Sequence, residues 1–357
     1  MNTIKPLTSL RYFAALAVFL FHLKFTVPSL YKGDWFQLGG LGVGFFFMLS
    51  GYVLGLRYGG DRQFSLSEYA AKRFARVYPL HLITFATWNL VYFSAWGNSL
   101  IEKYDSGIAN VFLLHALFAG PIYQLGFNAV SWSISCEFIF YSVFPLIRRP
   151  AAAAACASVI SLAILSCWFF AYSGSLLSWY SDFFYFNPIP RMAEFAAGVL
   201  ISLTVPRLQT RWATVLEIGS LGLLAGQLTL FGSIPQELRE IYLIPGFGAV
   251  IAAFGCQSGI VSRILGHRNL VVLGDASYGF YLWHHMILRS LGDHLSLRLQ
   301  SLSPFGKIFS AFLILVGITV FAVASYRWIE LPMRALALKA TLRRQSTPAS
   351  RMAPQTV

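Results

Sequence analysis

The chain has 357 residues, of which 57% are hydrophobic and 11% charged, with a mean hydropathy of +0.62. Soluble domains carry about 25% charged residues to keep their surfaces wet, so a water-soluble globule is excluded. The formal net charge of +13 would suit a nucleic-acid binder, yet the basic residues sit in short clusters between apolar runs, which is the pattern of membrane topology signals and argues for a lipid partner and no nucleic acid.

The apolar runs predict an all-α, polytopic transmembrane helical bundle of about ten spans, at 7–27, 36–57, 77–97, 130–147, 151–172, 189–205, 213–231, 241–256, 272–291 and 305–328. The first of these resembles a signal peptide, but Arg11 and His22 interrupt it and no small-x-small site follows, so an uncleaved helix is expected. The apolar piece 108–120 is too short to cross easily and is expected to be re-entrant or interfacial; as a full span it would make eleven and flip half the topology. With the N-terminus inside, 17 lysines and arginines fall in cytoplasmic segments and 7 outside, while Arg11, Arg191 and Arg327 lie within spans. That bias predicts both termini in the cytoplasm. Residues 5–332 read as one membrane domain, and 333–357 as a basic, disordered cytoplasmic tail. Cys136, Cys156, Cys167 and Cys256 lie in apolar runs without a CxxC pair, which speaks against disulfides and structural zinc.

Titratable groups at membrane depth cost several kcal/mol each and so ask for a reason. They are Arg11 and His22 in the first span, Glu137 in the fourth, Arg191 and Glu194 in the sixth, and Asp275, His284 and His285 in the ninth. One reason would be hydrogen bonding that fixes helix packing. Another emerges from depth. At about 1.5 Å per residue, His22 lies roughly 22 Å along the first span, Glu137 roughly 10 Å below the outer end of the fourth, and His284 roughly 18 Å up the ninth. The three fall in one layer of the outer half, and a histidine with a carboxylate is equipment for proton transfer. Arg11 and His22, eleven residues apart, share a helix face. At the cytoplasmic mouth of the third span stand Lys72, Arg73 and Arg76, ahead of Pro79. They would serve as a positive-inside anchor or as a grip on phosphates. The glycines at 40, 44 and 51 allow close helix approach and are no nucleotide loop.

Taken in order, these segments resemble the membrane-bound acyltransferase 3 family. Leu10-Arg11-Tyr12-Phe13-Ala14-Ala15 with His22 is similar to its first helix, and Phe45-Phe46-Phe47-Met48-Leu49-Ser50-Gly51 to its FF-x-LSG signature. Arg73, Arg76 and Pro79 match its arginine motif, and Trp132-Ser133 with Glu137 its W-S-x-x-x-E element. Gly274 through His284 looks like its G-x-x-SY-x-x-YL-x-H segment, and Glu330-Leu331-Pro332 like its closing E-x-P. One departure is Gly44, where many members carry an acidic residue.

The resemblance implies an integral membrane O-acyltransferase of the cell (inner) membrane. It would move an acyl group, most simply acetyl, from a cytosolic acyl-CoA to a hydroxyl of a surface carbohydrate. His22 is then the catalytic base, Glu137 its carboxylate partner, and Arg73 and Arg76 the coenzyme A grip, with Arg11, Ser50, Trp132, Tyr281 and His284 in support. Acyl-CoA is a co-substrate; no tightly bound cofactor and no metal are expected. Some relatives carry an extracellular esterase-like domain, and this chain is expected to act with its membrane domain alone. Two other readings compete. A transporter would also hold titratable groups at mid-depth, but no inverted repeat is visible. An intramembrane metalloenzyme would need His22, His284 and His285, and adjacent histidines on a helix point about 100° apart.

Overall fold

The computed structural model describes residues 3–30, 34–63, 65–92, 100–172, 178–206 and 211–345, which contain helices and turns and no strand. The helices are α1 (Lys5–His22), α2 (Gly42–Tyr58), α3 (Leu66–Tyr92), α4 (Leu100–Val111), α5 (Pro121–Gln124), α6 (Trp132–Ile147), α7 (Pro150–Tyr172) and α8 (Ser178–Phe186). Then follow α9 (Pro188–Thr204), α10 (Ala213–Leu230), α11 (Arg239–Gly255), α12 (Ile260–Leu265), α13 (Arg268–Asp275), α14 (Ser277–Gln300), α15 (Pro304–Ser325) and α16 (Leu331–Gln345). Local chemistry sets several starts. Proline occupies the first turn of α1, α9 and α15, where its missing N–H has no helical partner to lose. Asn187 caps α9 by accepting from the Ile189 amide at 3.0 Å, and Ser303 caps α15 through Gly306 at 3.2 Å.

A helix stands at each of the ten predicted positions, but among the described residues seven stretches are long and apolar enough to cross a membrane: Lys5–Phe25, Leu38–Tyr58, Ala129–Ile147, Pro150–Trp168, Ala213–Ser233, Gln236–Gly255 and Pro304–Leu336. The helices below that measure are α3, α9 and α14. Helix α3 carries Lys72, Arg73 and Arg76, and α14 carries His284, His285, Arg289 and Asp293, polar groups that lower their hydropathy; α9, with Arg191 and Glu194, is only 17 residues long. Two expectations need correction. Helix α3 begins at Leu66, eleven residues before the predicted span, so the arginine pair is inside the helix; residues 93–97 lie outside the described ones. The segment from 333 is helical as far as Gln345, where α16 packs along α3, instead of disordered; residues 346–357 lie outside the described ones. The 108–120 piece is broken by Leu113 and Gly120, both at positive φ, and folds back on α6, where Ser135 donates to the Leu113 carbonyl at 2.7 Å.

Burial separates the layers. In α2, 72% of the apolar window is covered by other helices, against 17% in α10 and in α15. Leu146, Phe305, Val320 and Trp328 project outward uncovered, an apolar exterior suited to lipid. Helix α2 packs most extensively on α9, at a crossing where a Cβ on Gly198 would run into the Met48 carbonyl. Small residues are what let two backbones approach this way.

The Glu217 carboxylate of α10 is fully buried and accepts the amides of Gly259 at 3.1 Å, Val261 at 3.0 Å and Ser262 at 3.2 Å, closing the first turn of α12. Glu217→Ala leaves those donors without an acceptor and is expected to cost about 1–3 kcal/mol. A lowered melting temperature in detergent would show it; an unchanged one would mean that water replaces the carboxylate.

Candidate active site

The N-terminal ends of α1 and α3, the length of α2, the first half of α6, the α13–α14 junction and the start of α16 surround a cavity of about 550 Å³. Six cationic side chains line it: Arg11, Arg57, Lys72, Arg73, Arg76 and Arg334. Two carboxylates do, Glu137 and Asp275. Arg73 and Arg76 are three residues apart in one helix and so face the same way. The Nε of Arg73 is buried without a hydrogen-bond partner. Lys72 pairs with Glu68 and Arg57 is exposed, which leaves Arg11, Arg73, Arg76 and Arg334 facing Glu137 and Asp275, an excess of positive charge that suits an anion.

Glu137 accepts from Ser50 Oγ at 2.5 Å and from the Tyr141 hydroxyl. Deeper in, Tyr281 is hydrogen-bonded to Ser133 at 2.8 Å and lies edge-on to Phe46 with ring centres 5.9 Å apart. Both aromatic rings line the cavity. Behind Tyr281, at a ring separation of 5.7 Å, is His284. His284 Nε2 meets His22 Nδ1 at 3.0 Å, and His284 Nδ1 meets the Phe280 carbonyl at 3.2 Å.

That chain fixes protons. A carbonyl can only accept, so His284 Nδ1 carries a hydrogen. In the neutral ring Nε2 is then bare and accepts, so His22 donates from Nδ1. The Nε2 lone pair of His22 is left free, which is the arrangement of a general base held in one tautomer.

Of the expected residues, Arg11, Ser50, Arg73, Arg76, Glu137 and Tyr281 share the cavity. His22 and His284 meet each other just beyond it. The pairing of His22 with Glu137 is corrected: the carboxylate is held by α2 and its own helix, and His22 by α14. Trp132 lines neither; it packs edge-on to Phe47 and Phe186.

Trp88, beside His285, and Glu240, beside Arg191, escaped the sequence reading. Both His284 and His285 flank His22, each with ring centres 5.1 Å away, and His285 also stacks on Trp88 at 5.8 Å. Among the described residues no group of three or more His, Cys, Asp or Glu is disposed to hold a metal ion. Gly44 leaves space that the Glu194 carboxylate fills, where a Cβ would collide with Oε1. Glu194 pairs with Arg191 at 3.0 Å, and Arg191 with Glu240 at 2.6 Å. The acidic group missing from position 44 is thus supplied to that space by α9.

A multipass helical scaffold with a basic cavity ending beside a tautomer-locked histidine defines a membrane enzyme of group transfer. The model of an acyltransferase domain matches residues 5–327, and the chain belongs to that family, the membrane-bound acyltransferase 3 proteins; it is an O-acyltransferase. It is similar to "Acyltransferase MdmB" of Streptomyces mycarofaciens, with 31% identity covering 80% of this chain and 79% of that protein. It is also similar to "Putative peptidoglycan O-acetyltransferase YrhL" of Bacillus subtilis, 26% identical over 96% of this chain and 56% of that protein. "O-acetyltransferase OatA" of Staphylococcus aureus is 23% identical over 94% of this chain and 58% of its own length. The chain therefore spans a little over half of those two larger relatives. No solved structure matches it.

Proposed function

We propose that this protein, in the cell (inner) membrane with about ten spans and both termini in the cytoplasm, transfers an acetyl group from cytosolic acetyl-CoA to a hydroxyl of a surface carbohydrate. The nucleotide phosphates sit among Arg73, Arg76 and their neighbours, and the pantetheine arm carries the thioester past Phe46 and Tyr281. Nε2 of His22 takes the acceptor's hydroxyl proton as its oxygen attacks the thioester carbonyl. The tetrahedral intermediate collapses by breaking the C–S bond, and His22 returns the proton to the departing thiolate. Glu137 holds Ser50 and Tyr141 and offsets part of the cavity's charge. The observation that carries this reading is the hydrogen-bond chain from the Phe280 carbonyl through His284 to His22. The name of one relative, a putative peptidoglycan O-acetyltransferase, supports a carbohydrate acceptor.

Mass spectrometry of surface glycans from cells with and without the protein tests the acceptor class. An ester-sized mass difference on a glycan is expected; identical glycans would remove the carbohydrate from the reading.

His284 acts through His22, so its substitution separates positioning from packing. His284→Gln can present an amide oxygen where Nε2 stood and is expected to keep a measurable rate. His284→Phe fills the space without an acceptor and is expected to lose about 10²-fold or more, the scale of general-base catalysis. Equal rates in the two variants would show that the ring serves packing alone.

A further inference from the structure

The chain does not leave α15 by an ordinary turn. Residues Tyr326–Glu330 form a π-helical turn, and α16 continues from it. Such wide turns rotate the helix face that follows and recur at functional sites. Here the turn buries Glu330, which lies over Gly279 of α14, and sets Tyr326 and Arg334 into the cavity wall. Helix α16 packs along α3, the helix that carries Arg73 and Arg76. Arg334 Nε, like Arg73 Nε, is buried without a hydrogen-bond partner. Two guanidinium groups from helices far apart in sequence therefore hold unused donors in the same basic cavity. The Glu330 carboxylate is an electrostatic neighbour of Arg334, yet neither Nε makes a hydrogen bond, and a buried guanidinium donor left without an acceptor favours an oxyanion.

We infer that Arg334 is a phosphate-gripping residue of the donor site, so that α16 closes the cavity around the nucleotide phosphates of the thioester; this rests on the acyl-CoA reading above. Arg73 and Arg76 hold the phosphates from α3, and Arg334 completes the grip from the adjoining α16. A donor carrying both a diphosphate and a separate phosphomonoester gives three arginines enough oxygen atoms to bind. Lysine at 334 keeps the charge but loses the planar fork, so it restores the grip only in part.

The test is the affinity of the purified full chain in detergent for coenzyme A, with S-acetylpantetheine, which has no phosphate, as a competing probe. Loss of one charge-assisted phosphate contact predicts that Arg334→Gln raises the Kd for coenzyme A about ten- to a hundredfold. Arg334→Lys is expected to recover part of the loss, and S-acetylpantetheine to compete equally with wild type and both variants. A Kd for coenzyme A unchanged by Arg334→Gln overturns the inference alone, as does an equal loss for both probes, which would mark a distorted site. A wild-type protein that ignores coenzyme A overturns the donor reading and takes the inference with it.

Discussion

Replacing His22 by alanine is expected to lower acyl transfer by about 10²–10⁴-fold while the protein still inserts and folds. The size follows from the role. The ring supplies the imidazole lone pair at the end of the Phe280–His284–His22 chain. The intact fold follows from the place. His22 ends α1, is only partly covered, and gives up one side-chain hydrogen bond and a stacking contact with Phe25. His22→Gln is the companion variant, since it preserves much of the volume and cannot accept the proton. Transfer near the wild-type rate in either variant, with normal amounts in the membrane, would remove His22 from the chemistry.

Alanine at Arg73 or Arg76 is expected to weaken donor use about ten- to a hundredfold, chiefly in the KM for the acyl donor, as for any lost charge-assisted contact to phosphate. The double variant should fall below measurement. Lysine should rescue each position partly, because it restores charge without the fork geometry. The competing account is that this pair anchors topology by the positive-inside rule. Accessibility labelling decides between them. Correctly oriented alanine variants with unchanged donor KM would leave the arginines as anchors, and the cavity would need another ligand.

Much of this was legible in sequence because helices in lipid must satisfy their own backbone, so apolar length marks where they stand. The arginine pair was legible because a spacing of three is enough to place two side chains on one helix face. The link between His22 and Glu137 was misread for a definable reason. Counting residues along a helix gives depth, which is one coordinate, and leaves open which neighbour each face meets. Glu137 turned out to face Ser50 of α2, and His22 to face α14. Arg334 was hidden for another reason. The segment after 333 is too polar to look like a span, and nothing in its composition reveals that a π turn swings it back along α3. The carboxylate beside Gly44 was hidden similarly: position 44 looked vacated, and only the fold shows that Glu194 of another helix fills it.

In the proposed reaction the acyl group comes from coenzyme A held in the basic cavity and reaches an oxygen that His22 deprotonates. Inside-out membrane vesicles given radiolabelled acetyl-CoA on the exposed cytoplasmic face test it directly. Wild-type protein is predicted to place label in an ester on envelope glycan, released by mild alkali, and the His22→Ala vesicles to place none above background. Equal labelling by the two, or no labelling by wild-type protein that binds coenzyme A, would contradict it.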